Sequence, residues 1–353
     1  MGWARFLFYP FALLYGLIVQ VRHKCFDWGI LPSASFPVPV ISVGNLSTGG
    51  TGKTPHVEYL IRLLHSDYHL AVLSRGYKRK SRGFVEAGQQ ATVSQVGDEP
   101  LQIKKKFPGV VVAVHESRRR GIRRILKLHP EVSIILLDDA FQHRFVRPGL
   151  NILLTEYYHP FYKNFLLPCG TLREPKSGAR RADVLIVTKT PPVFSPLDRR
   201  IILQALRPYR LSKVLFSRLT YPAWVPLKPD KPAVQQENVK TIFLFTGIAN
   251  ASALEEYLKT FCKELVVIKF PDHHQFKTRD LEKIRKQYEE SLSREKILLT
   301  TEKDTMRMQN PALLKILQGL PVFYIPVEVH FQEKDRKAFN ALVLNYINSF
   351  SRP

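Results

Sequence analysis

The chain has 353 residues, 45% of them apolar, with 53 Lys and Arg against 30 Asp and Glu and a formal net charge of +23. That composition excludes a disordered or low-complexity chain, and the length suits two domains better than one. The cationic excess points to an acidic partner (nucleic acid, anionic lipid or a phosphorylated substrate), while the isolated Cys25, Cys169 and Cys262 offer neither a disulfide framework nor metal spacing.

The chain opens on an uncharged run, Phe6–Val19, with Arg5 before it and Arg22 and Lys24 after it. As a helix this run spans about 21 Å, short of the roughly 30 Å hydrocarbon core. Pro10 and Gly16 argue against a straight spanning helix, and Gln20–Lys24 offers no small-residue cleavage site. The favoured reading is a membrane-associated helix over residues 1–25, sunk part-way into one leaflet. Trp3, Phe6, Phe8, Tyr9, Phe11 and Tyr15 then lie at the interface and the flanking cations at anionic headgroups. The alternative is a helix packed on the core.

Val38–Val43 reads as a strand, followed by Thr48-Gly49-Gly50-Thr51-Gly52-Lys53-Thr54 and a helical segment, His56–Leu64. Strand, glycine-rich turn and helix in that order form a phosphate cradle. Glycines let backbone N–H groups point inward, and the helix start adds its partial positive charge. Lys53 would reach the outer phosphates of a nucleotide, and the Thr54 hydroxyl would ligate Mg²⁺. The pattern G-x-x-x-x-G-K-[ST] departs at its first position, where Ser47 stands in place of Gly.

Further on, Leu70–Ser74 reads as a strand leading into Arg75-Gly76-Tyr77 and a basic loop. Gly97-Asp98-Glu99-Pro100 opens a helix, Val110–Val114 is a short apolar run, and Ser117–His129 is a basic helix. Val132–Leu137 is a buried strand ending in Asp138-Asp139, with further strands at Ile152–Leu154 and Val184–Val187. Alternating strands and helices predict an α/β fold with a mostly parallel sheet that binds ligands at the carboxyl ends of its strands. A Pro-rich stretch over 217–240 reads as a linker between a phosphate-loop domain (26–216) and a smaller α/β domain (241–353).

Asp138-Asp139 at the end of an apolar strand fits a carboxylate pair for Mg²⁺ beside the phosphate loop, and His143 lies close to it in sequence. Asp98 at a helix start suits capping first and proton acceptance from an attacking hydroxyl second. Asp272-His273-His274 suits metal binding or orientation of a base, and Arg173 and Glu174 suit either phosphate recognition or a surface turn.

Together these pieces resemble one family, the tetraacyldisaccharide 4′-kinases (lipid A 4′-kinases). The resemblance is carried by Val43-Gly44-Asn45-Leu46 with Gly49–Pro55, Ser74–Tyr77, Gly97–Pro100, Asp138–Arg144, Leu167–Pro175, Phe270–His274 and Thr301–Asp304, in order. It implies an ATP- and Mg²⁺-dependent kinase at the cytoplasmic face of a Gram-negative inner membrane. Its substrate would be the 4′-hydroxyl of an acylated glucosamine disaccharide 1-phosphate. It further implies Asp98 as the base, supported by His273, with Lys53 stabilising the transferring phosphoryl group. Asn45, Arg75, His143, Arg173 and Glu174 are expected at the substrate, the last two at either lipid or nucleotide. Ala140 departs from the glycine the family pattern leads one to expect. A rival reading is a membrane-associated, deviant phosphate-loop ATPase or GTPase switch. It rests on Val184–Thr190, a faint likeness to a guanine reader. A nucleic-acid partner is not expected, because no nucleic-acid module is recognisable.

Overall fold

The computed structural model describes residues 8–227 and 239–350. Its strands are β1 (Val40–Asn45), β2 (Leu70–Ser74), β3 (Val85–Glu86), β4 (Val111–Val114), β5 (Ile134–Asp138), β6 (Leu150–Glu156) and β7 (Val184–Thr188). There follow β8 (Val214–Thr220), β9 (Val225–Pro226), β10 (Thr241–Thr246), β11 (Glu264–Lys269), β12 (Lys296–Thr301), β13 (Val322–Ile325) and β14 (Glu328–Phe331). The described residues form a nine-stranded sheet, β14-β8-β7-β6-β1-β5-β2-β4-β3, and a five-stranded sheet, β11-β10-β12-β13-β9. Pairing is parallel except for β14 with β8, β3 with β4 and β13 with β9, all at sheet edges.

β1, β2, β5 and β7 are buried at every position, which is why their sequences run apolar without alternation. On one face Ile41, Val43 and Leu136 pack against Leu60, Ile61 and Leu64 of the helix Lys53–Leu64, and against Phe339 and Val343 of the final helix, Glu333–Ser349. On the other face Ile122 and Ile125 of the helix Arg118–Leu128 close over Leu73 and Ile135. The second sheet is covered by the helix Thr278–Glu290 on one side and Ser252–Leu258 on the other. Both sheets thus carry helices on both faces, as the alternation of elements predicts.

The expected boundaries need two corrections. Residues through Thr220 of the expected linker belong to β8, and Val225–Pro226 pairs with β13, so the Pro-rich stretch starts inside sheet structure. Residues 228–238 of that linker lie outside the described residues. The last strand and helix return to the first sheet, where Glu328 pairs with Thr220 and Phe331 with Ser217. The two crossings between the sheets, 221–224 and 326–327, therefore continue a pair of antiparallel strands.

The amino-terminal helix spans Tyr9–Asp27, running on through the charged residues past Val19. Pro10 sits in its first turn, where a missing N–H costs nothing. Ala12, Gly16 and Phe26 face the protein, and Gly16 allows close approach, since a Cβ there would meet Leu166 Cδ1 at 2.8 Å. Leu13, Leu14, Leu17 and Ile18 are each more than half exposed. Among the described residues no helix is long and apolar enough to cross a membrane. Residues 1–7, which include Trp3 and the Phe6 that starts the apolar run, lie outside the described residues.

Candidate active site

β1 delivers the chain into the phosphate loop, and the loop's shape follows from its residues. Gly52 caps the Lys53–Leu64 helix with φ 86°, a left-handed conformation that glycine adopts without a Cβ penalty. Ser47 needs no such freedom, because it is paired in an antiparallel bridge with Leu172. Its departure from the glycine pattern is therefore harmless. Thr48 N–H donates to Thr171 O at 2.7 Å, and Asn45 Nδ2 donates to Thr51 Oγ1 at 2.9 Å. Thr188, buried at the end of β7, donates its hydroxyl to Thr51 O at 3.0 Å. The Val184–Thr190 segment thus braces the phosphate loop.

β5 runs parallel to β1 with Asp138 beside Val43. Asp138 is 1% exposed, and its Oδ1 has no hydrogen-bond partner. Burial, with the nearby Glu99 and Asp139 carboxylates, pushes its pKa up to about 7. Asp139 adopts φ 48°, so the strained position of this turn is Asp139 and Ala140 needs no glycine conformation. The tightness falls instead on Gly44, where a Cβ would lie 2.7 Å from Phe141 Cβ and 2.8 Å from its backbone N. Burial works to raise the Asp139 pKa, but Lys53 and Arg173 outweigh it and hold it below the usual carboxylate range. Lys53 Nζ lies 3.6 Å from Asp139 Oδ1, and Arg173 Nη1 donates to both of its oxygens at 3.1 Å.

Arg118, one of several arginines in its helix, is buried and grips this turn from behind. It donates from Nη2 to Asp138 O at 3.2 Å and Asp139 O at 3.3 Å. His143 accepts from Arg118 N–H through Nε2 at 3.1 Å. Burial first, then Arg118, lower the His143 pKa to about 4, so the ring is neutral. His143, expected at the substrate, thus takes the first N–H of the Arg118–Leu128 helix, whose N-cap is Ser117. Glu174, also expected there, is 1% exposed and fully engaged: Gln142 Nε2 donates to it at 2.8 Å, Arg181 Nη2 at 2.7 Å, and His23 Nε2 lies at 2.9 Å. Arg75 is exposed at the end of β2 without a side-chain partner among the described residues.

The second sheet contributes the other half of the site. Asp98 opens the helix Asp98–Lys106 and is 5% exposed. Its Oδ2 accepts from His273 Nδ1 at 2.8 Å, from Arg307 Nε at 2.8 Å and from Arg307 Nη2. The carboxylate can only accept, so the His273 proton in this contact sits on Nδ1. Burial works to raise the Asp98 pKa, but the His273 hydrogen bond and the Arg307 guanidinium hold it at about 2. His273 has φ 62°, and its N–H donates to Gly247 O at 3.0 Å. Lys303 Nζ donates to Glu99 at 2.9 Å, and Lys106 bridges Glu58 at 2.8 Å and Glu302 at 3.0 Å. The Lys303–Glu99 and Lys106–Glu302 contacts join the Asp98–Lys106 helix to residues that follow β12, while Lys106–Glu58 ties it to the Lys53–Leu64 helix. Sequence reasoning missed Arg118 and Arg307, since a buried arginine carries no local signal distinguishing it from a solvated one.

A cation fits beside the phosphate loop. The unpartnered Asp138 Oδ1 is a buried acceptor awaiting a positive charge, and Thr54 lies in the first turn of the adjoining helix. Carboxylate and hydroxyl oxygens, completed by phosphate and water, suit Mg²⁺.

The family model described as Tetraacyldisaccharide-1-P 4′-kinase matches residues 4–348. A tetraacyldisaccharide 4′-kinase of Bacteroides thetaiotaomicron is 43% identical, covering 98% of this chain and 93% of that protein. One from Flavobacterium psychrophilum is 43% identical, covering 99% and 98%. A crystal structure of LpxK from Aquifex aeolicus in complex with ATP superposes with a TM-score of 0.75 at 29% identity, covering 98% of this chain and all of that one. The phosphate loop, the Asp138-Asp139 turn and the Asp98–His273 pair lie within a match that runs nearly end to end, and the chain belongs to the tetraacyldisaccharide-1-P 4′-kinase family.

Proposed function

We propose that this protein transfers the γ-phosphoryl group of ATP to the 4′-hydroxyl of an acylated glucosamine disaccharide 1-phosphate, giving the 4′-phosphorylated lipid A precursor. The observation that carries this reading is family membership over residues 4–348, joined to a glycine-rich phosphate loop with a buried carboxylate on the strand beside it and to an ionised, hydrogen-bonded Asp98. The backbone N–H groups of Thr48–Thr54 cradle the ATP phosphates, and Lys53 offsets charge on the transferring group. Thr54, Asp138 and Asp139 would hold Mg²⁺, which would neutralise negative charge on the nucleotide phosphates. Asp98 accepts the proton of the sugar hydroxyl as the new O–P bond forms and ADP leaves. His273 keeps that carboxylate oriented. Arg173 and Arg75 meet anionic oxygens in this reading, which is supported by the seat of Arg173 on Asp139 and the exposure of Arg75 at the end of β2. Asn45 acts through Thr51 on the loop itself.

The Tyr9–Asp27 helix lies on an anionic membrane surface at the cytoplasmic side of the inner membrane. Its exposed Leu13, Leu14, Leu17 and Ile18 enter the leaflet, and its flanking cations meet headgroups. The switch reading is not favoured, because Thr188 is committed to the loop backbone.

The test is transfer of labelled γ-phosphoryl from ATP to tetraacyldisaccharide 1-phosphate in detergent micelles, with and without Mg²⁺, beside Asp98→Asn. Metal-dependent lipid labelling that the variant loses is the expected result. Steady nucleotide hydrolysis with no labelled lipid would overturn the reading.

A further inference from the structure

Arg307 lies one helical turn beyond Asp304, and none of its side chain reaches solvent. A buried guanidinium is costly unless its donors are used. Nε and Nη2 both donate to Asp98 Oδ2, while Nη1 donates to Gly247 O at 2.9 Å and to Asp304 Oδ1 at 3.0 Å. Asp304 is itself fixed, accepting from Thr246 Oγ1 at 2.9 Å, Thr301 Oγ1 at 2.6 Å and the Gly247 N–H at 3.2 Å. Arg307 is therefore a rigid fork, built on the second sheet and aimed at a carboxylate on the first.

Every hydrogen bond made to Asp98 among the described residues lands on one oxygen, Oδ2. That leaves Oδ1 as the oxygen available to a substrate hydroxyl. We propose that Arg307 is a positioning residue for the phosphoryl transfer: it turns Asp98 so that Oδ1 faces the acceptor hydroxyl, and it does so only when the second sheet is seated on the first. This rests on the reading of Asp98 as the base. Asp98 meets His273, Arg307 and Lys303 from the second sheet, and Glu99 neighbours it on its own helix. Arg307 supplies Asp98 with both a charge and two hydrogen bonds, so its loss raises the Asp98 pKa and frees its rotamer.

The experiment compares Arg307→Gln, Arg307→Lys, Asp98→Asn and the Gln/Asn double variant by lipid phosphorylation across pH. Arg307→Gln is expected to lose on the order of 10- to 100-fold in kcat. KM for ATP should stay within about twofold. The acid limb of its rate profile moves to higher pH. Arg307→Lys keeps the limb in place, because the cation remains, and recovers part of kcat. In the Asp98→Asn background the Arg307 change costs nothing further. Wild-type kcat and limb in Arg307→Gln, or an equal loss in both backgrounds, would overturn the proposal. Should Arg307→Gln fail to fold, Arg307→Lys alone decides: lowered kcat with an unmoved limb supports it, and wild-type kcat defeats it. Wild-type turnover in Asp98→Asn would instead defeat the reading of Asp98 as the base.

Discussion

His23, on the amino-terminal helix, places Nε2 2.9 Å from the buried carboxylate of Glu174. The same helix donates from Tyr15 OH to Arg173 O at 2.6 Å, and Arg144 donates back to His23 O at 3.0 Å. The apolar helix is thus wired to residues that border the phosphate loop, to Arg173 directly and to Gln142 by way of Glu174.

Glu174→Gln keeps the shape and removes the charge that Arg181 and His23 meet. A loss of about 2 kcal/mol in stability at pH 7 is expected. Burial works to raise the Glu174 pKa, but the His23 bond and Arg181 hold it below the usual range. A depressed carboxylate stabilises the fold above its unfolded pKa of about 4.3 and loses that contribution as pH falls through its folded value. The gap between wild type and variant, read by thermal melts, should therefore narrow below about pH 4.

Lys53→Ala removes the ammonium that faces Asp139 and the phosphate cradle. Turnover should drop by about 10³-fold or more, while the melting temperature changes little. Wild-type rates from this variant would remove Lys53 from the site.

Asp138→Asn separates stability from function. Burial and the neighbouring carboxylates make the charged form of Asp138 costly, so the pKa is raised and the fold loses stability as pH rises toward neutrality. The variant should melt higher than wild type at pH 8 without ligand, and it should lose activity. Wild type should gain more melting temperature from ATP with Mg²⁺ than the variant does, because ligand that binds only the folded state stabilises by mass action.

Gly44→Ala places a methyl group 2.7 Å from Phe141 Cβ and against a backbone nitrogen that cannot swing aside. A cost of about 1–3 kcal/mol is expected from the forced separation of β1 and the Asp138-Asp139 turn. ATP affinity should weaken with it, by calorimetric titration.

Leu14→Glu with Leu17→Glu alters the exposed face of the first helix without touching Tyr15 or His23. Binding to anionic vesicles should fall steeply, while activity on a detergent-dispersed substrate persists. Unchanged vesicle binding would remove this face from the membrane contact.

What the sequence made legible was local. The phosphate loop, the strand that delivers Asp138 and the alternation of strands and helices are each written within a few consecutive residues. Asp98 was ambiguous because a helix start suits a cap and a base equally. What distinguishes the two comes from partners 175 and 209 residues away. His143 and Glu174 read as substrate contacts from their position in motifs, yet packing gives one to a helix end and the other to Gln142, Arg181 and His23. Arg118 looked like its neighbours Arg119 and Arg120, and only the fold buries it. β14 was missed because a four-residue edge strand carries almost no periodicity, and its partner β8 was concealed in what read as a proline-rich linker.

The paired crossings at 221–224 and 326–327 have a mechanical consequence. A single tether would let the second sheet swing as on a ball joint. Two short segments side by side, each continuous with an antiparallel strand pair at either end, act as a door hinge. They bend about one axis and resist rotation about the others. Any opening between the sheets is thereby confined to one path, along which Arg307 and His273 leave Asp98 together and return to it in the same orientation.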